Sequence, residues 1–232
     1  MCSMLLLLLI ATLLFQAPAS PAEPPTEIAP GMFLFRYAPM PGRGPDGNTI
    51  IFDAPDGLIV VDTGRHKLVT DAILAFARER QRPIVAIINT HWHLDHVSGN
   101  GRLKAEYPKA RVYTTTAVDR ALAPGGFLAR NLDGVKKQPP STDEVRRDEV
   151  SIFIETMENR ADLRPDVPLT KSAPMRLAGK PLDVHVTDKA VSDADVWLFD
   201  KTSRVAVIGD LVTVPVPYFD CLLYTSPSPR DS

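Results

Sequence analysis

Ile84-Val85-Ala86-Ile87-Ile88-Asn89-Thr90-His91-Trp92-His93-Leu94-Asp95-His96 joins an unbroken apolar run to four potential metal donors. An apolar run of this length reads as a strand covered on both faces. Three of the chain's 5 histidines then fall within six residues. Imidazole is the commonest metal ligand. Histidines at i and i+2, followed by a carboxylate and a third imidazole, put nitrogen and oxygen donors at one strand end. Satisfied surface histidines are the plain alternative. Four donors packed into so short a loop favour a metal site.

Working outward, Gly31 to Tyr37 reads as a short strand. Asn48 to Phe52 and Leu58 to Val61 read as two more, bracketing the turn Ala54-Pro55-Asp56-Gly57. Val69 to Arg80 has apolar residues at helical spacing and a basic end. Val112 to Thr115 is a strand. Polar helices are predicted over Ala117 to Leu122 and Thr142 to Met157, the second opened by the cap-like Ser141-Thr142 and Glu144. Strands return at Leu182 to Val186, Asp195 to Phe199 and Arg204 to Ile208. Strands alternating with helices, then paired strands, predict a layered α/β domain. No repeat of 20 to 50 residues is visible.

The ends read differently from the middle. Residues 1–22 contain no charged side chain, and Leu5 to Phe15 is a nearly continuous apolar run followed by small residues. That is the pattern of a signal peptide, too short to span a bilayer. Cys221 to Asp231 back-translates into an adapter used in shotgun sequencing libraries, so 221–232 is expected to be a non-native tail. The genuine domain is then expected over 23–220, with its C-terminal part missing. Cys2 and Cys221 are the only cysteines. Residues 23–220 therefore offer neither a disulfide nor a thiolate ligand.

Proline numbers 22, with eight between Pro18 and Pro45 and six between Pro139 and Pro181. The first group reads as an extended linker into an irregular segment. The formal net charge is −2, which argues against a nucleic-acid footprint or a polybasic membrane patch.

The pattern His-x-His-x-Asp-His after a buried strand resembles the metallo-β-lactamase superfamily. Asn48 and Leu58-Ile59-Val60-Val61-Asp62-Thr63-Gly64 are similar to its first hairpin and Asp-x-Gly turn. Gly99-Asn100 follow the histidines as in that family, and Val205-Ala206-Val207-Ile208-Gly209-Asp210 resembles the strand delivering its bridging aspartate. The resemblance spans about Asn48 to Leu211. It implies a four-layered αββα sandwich with one or two zinc ions at one edge. His91 and His93 would bind the first zinc, Asp95 and His96 the second, and Asp210 would bridge. Asp62 would orient ligands, unless it is simply a turn residue before Gly64.

The family's third first-site histidine has no match, because Lys189 occupies its place; His185, inside a strand, is the alternative. Lys189 itself reads either as a surface lysine or as a countercharge for an anionic substrate. His66 is read as a surface histidine. Trp92, Phe127 and the stretch from Pro139 to Pro181 are either core or a substrate wall.

By this resemblance, together with the signal-like segment 1–22, the chain is expected to be an exported zinc hydrolase, periplasmic or secreted. It would activate water against a small acyl substrate of lactam, lactone or ester type, with Asp95 orienting the nucleophile and shuttling its proton. No nucleic-acid partner and no stable membrane association after signal cleavage are expected. A metal-binding, non-hydrolytic member of the same fold is the alternative.

Overall fold

A computed structural model describes residues 24–213. Both end segments singled out in the sequence, 1–22 and 221–232, lie outside that range.

Side chains alternate between the two faces of the central sheet, and both faces are covered. Strands β1 (Thr26–Ala29), β2 (Met32–Phe35), β3 (Thr49–Ala54) and β4 (Gly57–Val61) run antiparallel. The strands β5 (Ile84–Ile88), β6 (Arg111–Thr114) and β7 (Val167–Pro168) then add parallel to β4. Parallel pairing requires crossovers. The first is helix α1 (Lys67–Glu79). The second carries α2 (Leu94–Val97) and α3 (Asn100–Glu106). The third carries α4 (Ala117–Leu122), α5 (Phe127–Lys137) and α6 (Glu144–Glu158), with a 3-10 turn at Arg160–Leu163.

One face of the sheet, with Phe33, Phe35, Ile51, Leu58, Val60 and Ile87, packs on Val69, Ile73 and Phe76 of α1 and Leu103 of α3. The alternate residues Met32, Phe52, Ile59, Val61 and Ile88 meet Leu182, Val184, Val196 and Leu198 of a second sheet. That sheet is antiparallel, in the order β11 (Val205–Val207), β10 (Ala194–Asp200), β9 (Lys180–Asp188), β8 (Ala173–Leu177). Every residue of β4 is buried, as expected where both faces are covered. Helices, seven-stranded sheet and four-stranded sheet are three layers of the expected sandwich among the described residues.

Several elements were not predicted from sequence. Strands β7 and β8 lie in the proline-rich stretch, yet each is the edge of its sheet, where a missing N–H costs no ladder bond. Pro181 precedes the part of β9 that pairs with β10, Asp183 to Asp188. Helix α5 carries Gly134 and Asn131, which hid the helical spacing of Phe127, Leu128, Leu132 and Val135. The start of α6 is corrected by one residue or two. Asp143 is its cap, accepting from the Arg146 backbone N–H at 2.9 Å, while Ser141 Oγ accepts from the Asp143 N–H.

The carboxyl ends of β4 and β5 lie side by side, the edge where open α/β sheets place ligands. Asp62 follows β4, Asn89 to His96 follow β5, and Asp210 arrives on a 3-10 turn, Gly209–Leu211, after β11.

Candidate metal centre

Asp62 leaves β4 with φ +61°, a left-handed conformation uncommon outside glycine and more often seen at functional turns. The turn sends its carboxylate under the loop after β5. Its Oδ1 accepts from the Thr90 backbone N–H at 2.8 Å. Its Oδ2 accepts from the Thr90 hydroxyl at 2.8 Å and from His96 Nδ1 at 2.8 Å. The Thr90 hydroxyl has spent its proton on Asp62, so it accepts from His91 Nδ1 at 3.0 Å. One carboxylate thus fixes two imidazoles, His96 directly and His91 through Thr90. Both rings present Nε2 on the other side.

Those two Nε2 atoms are buried and have no hydrogen-bond partner among the described residues. They face Asp210 Oδ2 at 3.9 Å from His91 and 3.4 Å from His96. One donor atom from each of the three residues lies within 4.8 Å of the others. Buried polar atoms left without partners are uncommon in native proteins. Two such nitrogens converging with a carboxylate oxygen form a donor set that fits a borderline-soft divalent metal.

Asp95 joins from the side, its Oδ2 3.4 Å from His96 Nε2. The His93 ring packs edge-on against His91 with centroids 4.5 Å apart; it is beside the three-residue cluster without being one of its mutually close donors.

Charge in this pocket is arranged for a cation. Burial and the neighbouring His96 and His93 rings push His91 well below the ordinary imidazole range, leaving it neutral and ligand-ready. Burial opposes charge on His96 too. The carboxylates of Asp62, Asp210 and Asp95 outweigh it and raise His96 well above that range. Burial likewise opposes ionisation of Asp95, and the adjacent His96 and His93 overcome it, lowering its pKa.

The backbone of the loop is held as firmly as its rings. The His96 carbonyl accepts from the Thr63 N–H (2.8 Å), the Thr63 hydroxyl (3.2 Å) and Asn89 Nδ2 (3.1 Å). Asn100 locks Asn89 in turn, donating to its Oδ1 at 2.8 Å. On the far side the Gly47 N–H donates to the Asp95 carbonyl at 3.0 Å. A Cβ at Gly47 would fall 2.6 Å from Cε1 of His96, so only glycine fits there. Gly209, at φ +54°, lies as tightly over Thr90.

The sequence profile described as the metallo-beta-lactamase superfamily matches residues 42–223. The chain belongs to that superfamily.

Among its curated relatives is a hydroxyacylglutathione hydrolase of Synechococcus sp. (strain JA-2-3B'a(2-13)), 47% identical over 57 residues, covering 25% of this chain and 22% of that protein. A linear primary-alkylsulfatase of Pseudomonas sp. (strain ATCC 19151) is 32% identical over 107 residues, covering 42% of this chain and 20% of that protein. Each match therefore spans about a fifth of the relative's own length. The DIM-1 metallo-beta-lactamase shares the fold at TM-score 0.56 and 16% identity, over 85% of this chain and 76% of that one. The relatives named here are hydrolases of the superfamily.

The reading of His66 as a surface histidine needs correction. His66 is not a surface residue: only 3% of it is exposed, and its ring lies between Asp46 and Glu149. Those partners are 20 and 83 residues away in sequence, so nothing local signalled the burial. His185 is not grouped with the other donors among the described residues. Its ring stacks on Trp197 at 3.8 Å, across the β9–β10 pair. Lys189 is exposed in the turn between those strands, with φ +53° and its N–H on the Asp193 carbonyl. Trp92 packs with Leu94, Leu128, Met157 and Leu163 into a buried cluster beneath α4 to α6, and the partly buried Phe127 lies against it.

Proposed function

We propose that this member of the superfamily is a zinc-dependent hydrolase acting on a small acyl substrate of lactam, lactone or ester type. The observation that carries the proposal is the convergence of His91 Nε2, His96 Nε2 and Asp210 Oδ2, with both Nδ1 atoms already committed to Thr90 and Asp62. His91, His96 and Asp210 would hold the ion, with His93 and Asp95 at its margin. Zinc bound there supplies a Lewis acid that makes water nucleophilic near neutral pH.

The protein's own groups do the rest. Asp62 keeps each ring in one tautomer, a contribution that matters nearly as much as ligation itself. Asp95 is held ionised by His96 and His93, and its side chain is 21% exposed. It can therefore take a proton at its carboxylate from the attacking water and return it to the leaving group. The apolar run Leu5 to Phe15 supports export to the periplasm or medium. The net charge of −2 supports a small molecule, not a nucleic acid, as substrate.

The alkylsulfatase match, the longer of the two sequence matches, favours a second reading in which the bond broken is a sulfate ester. Zinc-loaded protein assayed against a β-lactam, a lactone, a hydroxyacyl thioester and an alkyl sulfate separates the two. Turnover of an acyl substrate supports the first reading and turnover of the alkyl sulfate the second. Bound zinc without turnover of any of them means a metal-binding, non-hydrolytic member.

A further inference from the structure

We infer that His66 is a positioning residue for the metal centre: bridging Asp46 and Glu149, it clamps the segment 43–47 against the loop that carries Asp95 and His96. This inference rests on the zinc reading given above.

His66 Nδ1 lies 2.7 Å from Asp46 Oδ2 and Nε2 lies 2.6 Å from Glu149 Oε1. With a carboxylate at each nitrogen the ring donates twice. Each carboxylate also reaches the backbone. Asp46 Oδ1 accepts from the N–H groups of Arg65 (2.7 Å) and His66 (3.0 Å). Glu149 Oε2 accepts from the Gly44 N–H at 3.0 Å, and Arg65 and Arg43 flank Glu149 at 3.8 and 3.4 Å. Arg43 also pairs with Asp148. The ring thus ties together the segment before β3, the start of α1 and helix α6.

The next residue along that segment is Gly47, whose N–H holds the Asp95 carbonyl and where a Cβ would fall 2.6 Å from the His96 ring. His96 is therefore gripped from two sides. Asp62 and Thr63 hold one side and Gly47 the other, and His66 joins the chain just after the first and fixes the second. Removing the ring would leave two carboxylates facing each other without their shared cation, a costly arrangement when buried. The segment would then move away from His96.

The test is zinc affinity, measured by competition with a chromophoric chelator on the parent, His66→Gln, Glu149→Gln and Ile73→Ala. Ile73 is fully buried on α1 in the apolar cluster under the sheet, so Ile73→Ala reports general destabilisation. His66→Gln and Glu149→Gln should each bind zinc about tenfold more weakly or worse, and Ile73→Ala within a factor of about two of the parent. Should His66→Gln not fold, Glu149→Gln decides alone. Unchanged affinity in the glutamine variants, or an equal loss in Ile73→Ala, overturns the positioning role while leaving the metal reading intact. A parent that binds no zinc overturns both.

Discussion

His96 Nδ1 lies 2.8 Å from Asp62 Oδ2, and the same oxygen receives the Thr90 hydroxyl that supports His91. Two rings that must point at one ion are aimed by one buried carboxylate, from a strand neighbouring the one that carries them.

Asp62→Asn keeps the volume but turns one acceptor into a donor facing His96 Nδ1 and the Thr90 hydroxyl. Zinc affinity should fall about 10- to 100-fold, with far-UV circular dichroism unchanged. Affinity equal to the parent's would show that the rings hold their orientation without Asp62.

Gly47→Ala adds a single methyl group 2.6 Å from the His96 ring. The ring is buried and anchored at Nδ1, so the strain falls on the metal side. Zinc binding should weaken by about tenfold or more, measurable by the same chelator competition. A variant with parental affinity would mean the 43–47 segment yields freely.

Asp95→Asn should cut turnover roughly 10²-fold or more, as expected on losing a positioned acid–base group. The assay is turnover at saturating zinc on whichever substrate class the parent accepts. Turnover within a factor of about two of the parent would remove Asp95 from the proton path.

Stability should depend on pH through the His66 clamp. Burial pushes His66 down, but hydrogen bonds to Asp46 and Glu149 outweigh it, so its folded pKa is raised above 6.5. Burial pushes Glu149 up, but His66, the Gly44 N–H and Arg65 outweigh it, so its folded pKa lies below 4.5. A raised histidine stabilises below its ordinary pKa and loses that contribution as pH rises through the folded value. A lowered carboxylate stabilises above its ordinary pKa and loses that contribution as pH falls through the folded value. Both contributions are therefore complete between 4.5 and 6.5. The Tm gap between the parent and His66→Gln should be widest in that window and narrow at alkaline pH. A gap independent of pH would mean that the ring contributes packing alone.

What could be read from the sequence was local. The five-residue strand β5, the donors after it and the turn that joins β3 to β4 are patterns within a few residues. The two-sheet sandwich and the place of Asp210 were implied by the resemblance to the superfamily. What escaped was set by distant partners. The burial of His66 depends on Asp46 and Glu149, and the requirement for glycine at 47 depends on His96, 49 positions later. Strand β8 escaped for another reason: Pro174 looks like a strand breaker until the sheet order shows it on an edge.

The central claim, that His91, His96 and Asp210 form a zinc site, is tested most directly by thermal melting of metal-free protein against added zinc. Metal that binds only the folded state stabilises it by about 2.7 kcal/mol when free zinc reaches roughly 100 times Kd. The parent Tm should climb with zinc concentration, and the double variant His91→Ala with His96→Ala should melt at one temperature throughout. A parent Tm that does not respond to zinc, or a double variant that climbs equally, would contradict the site.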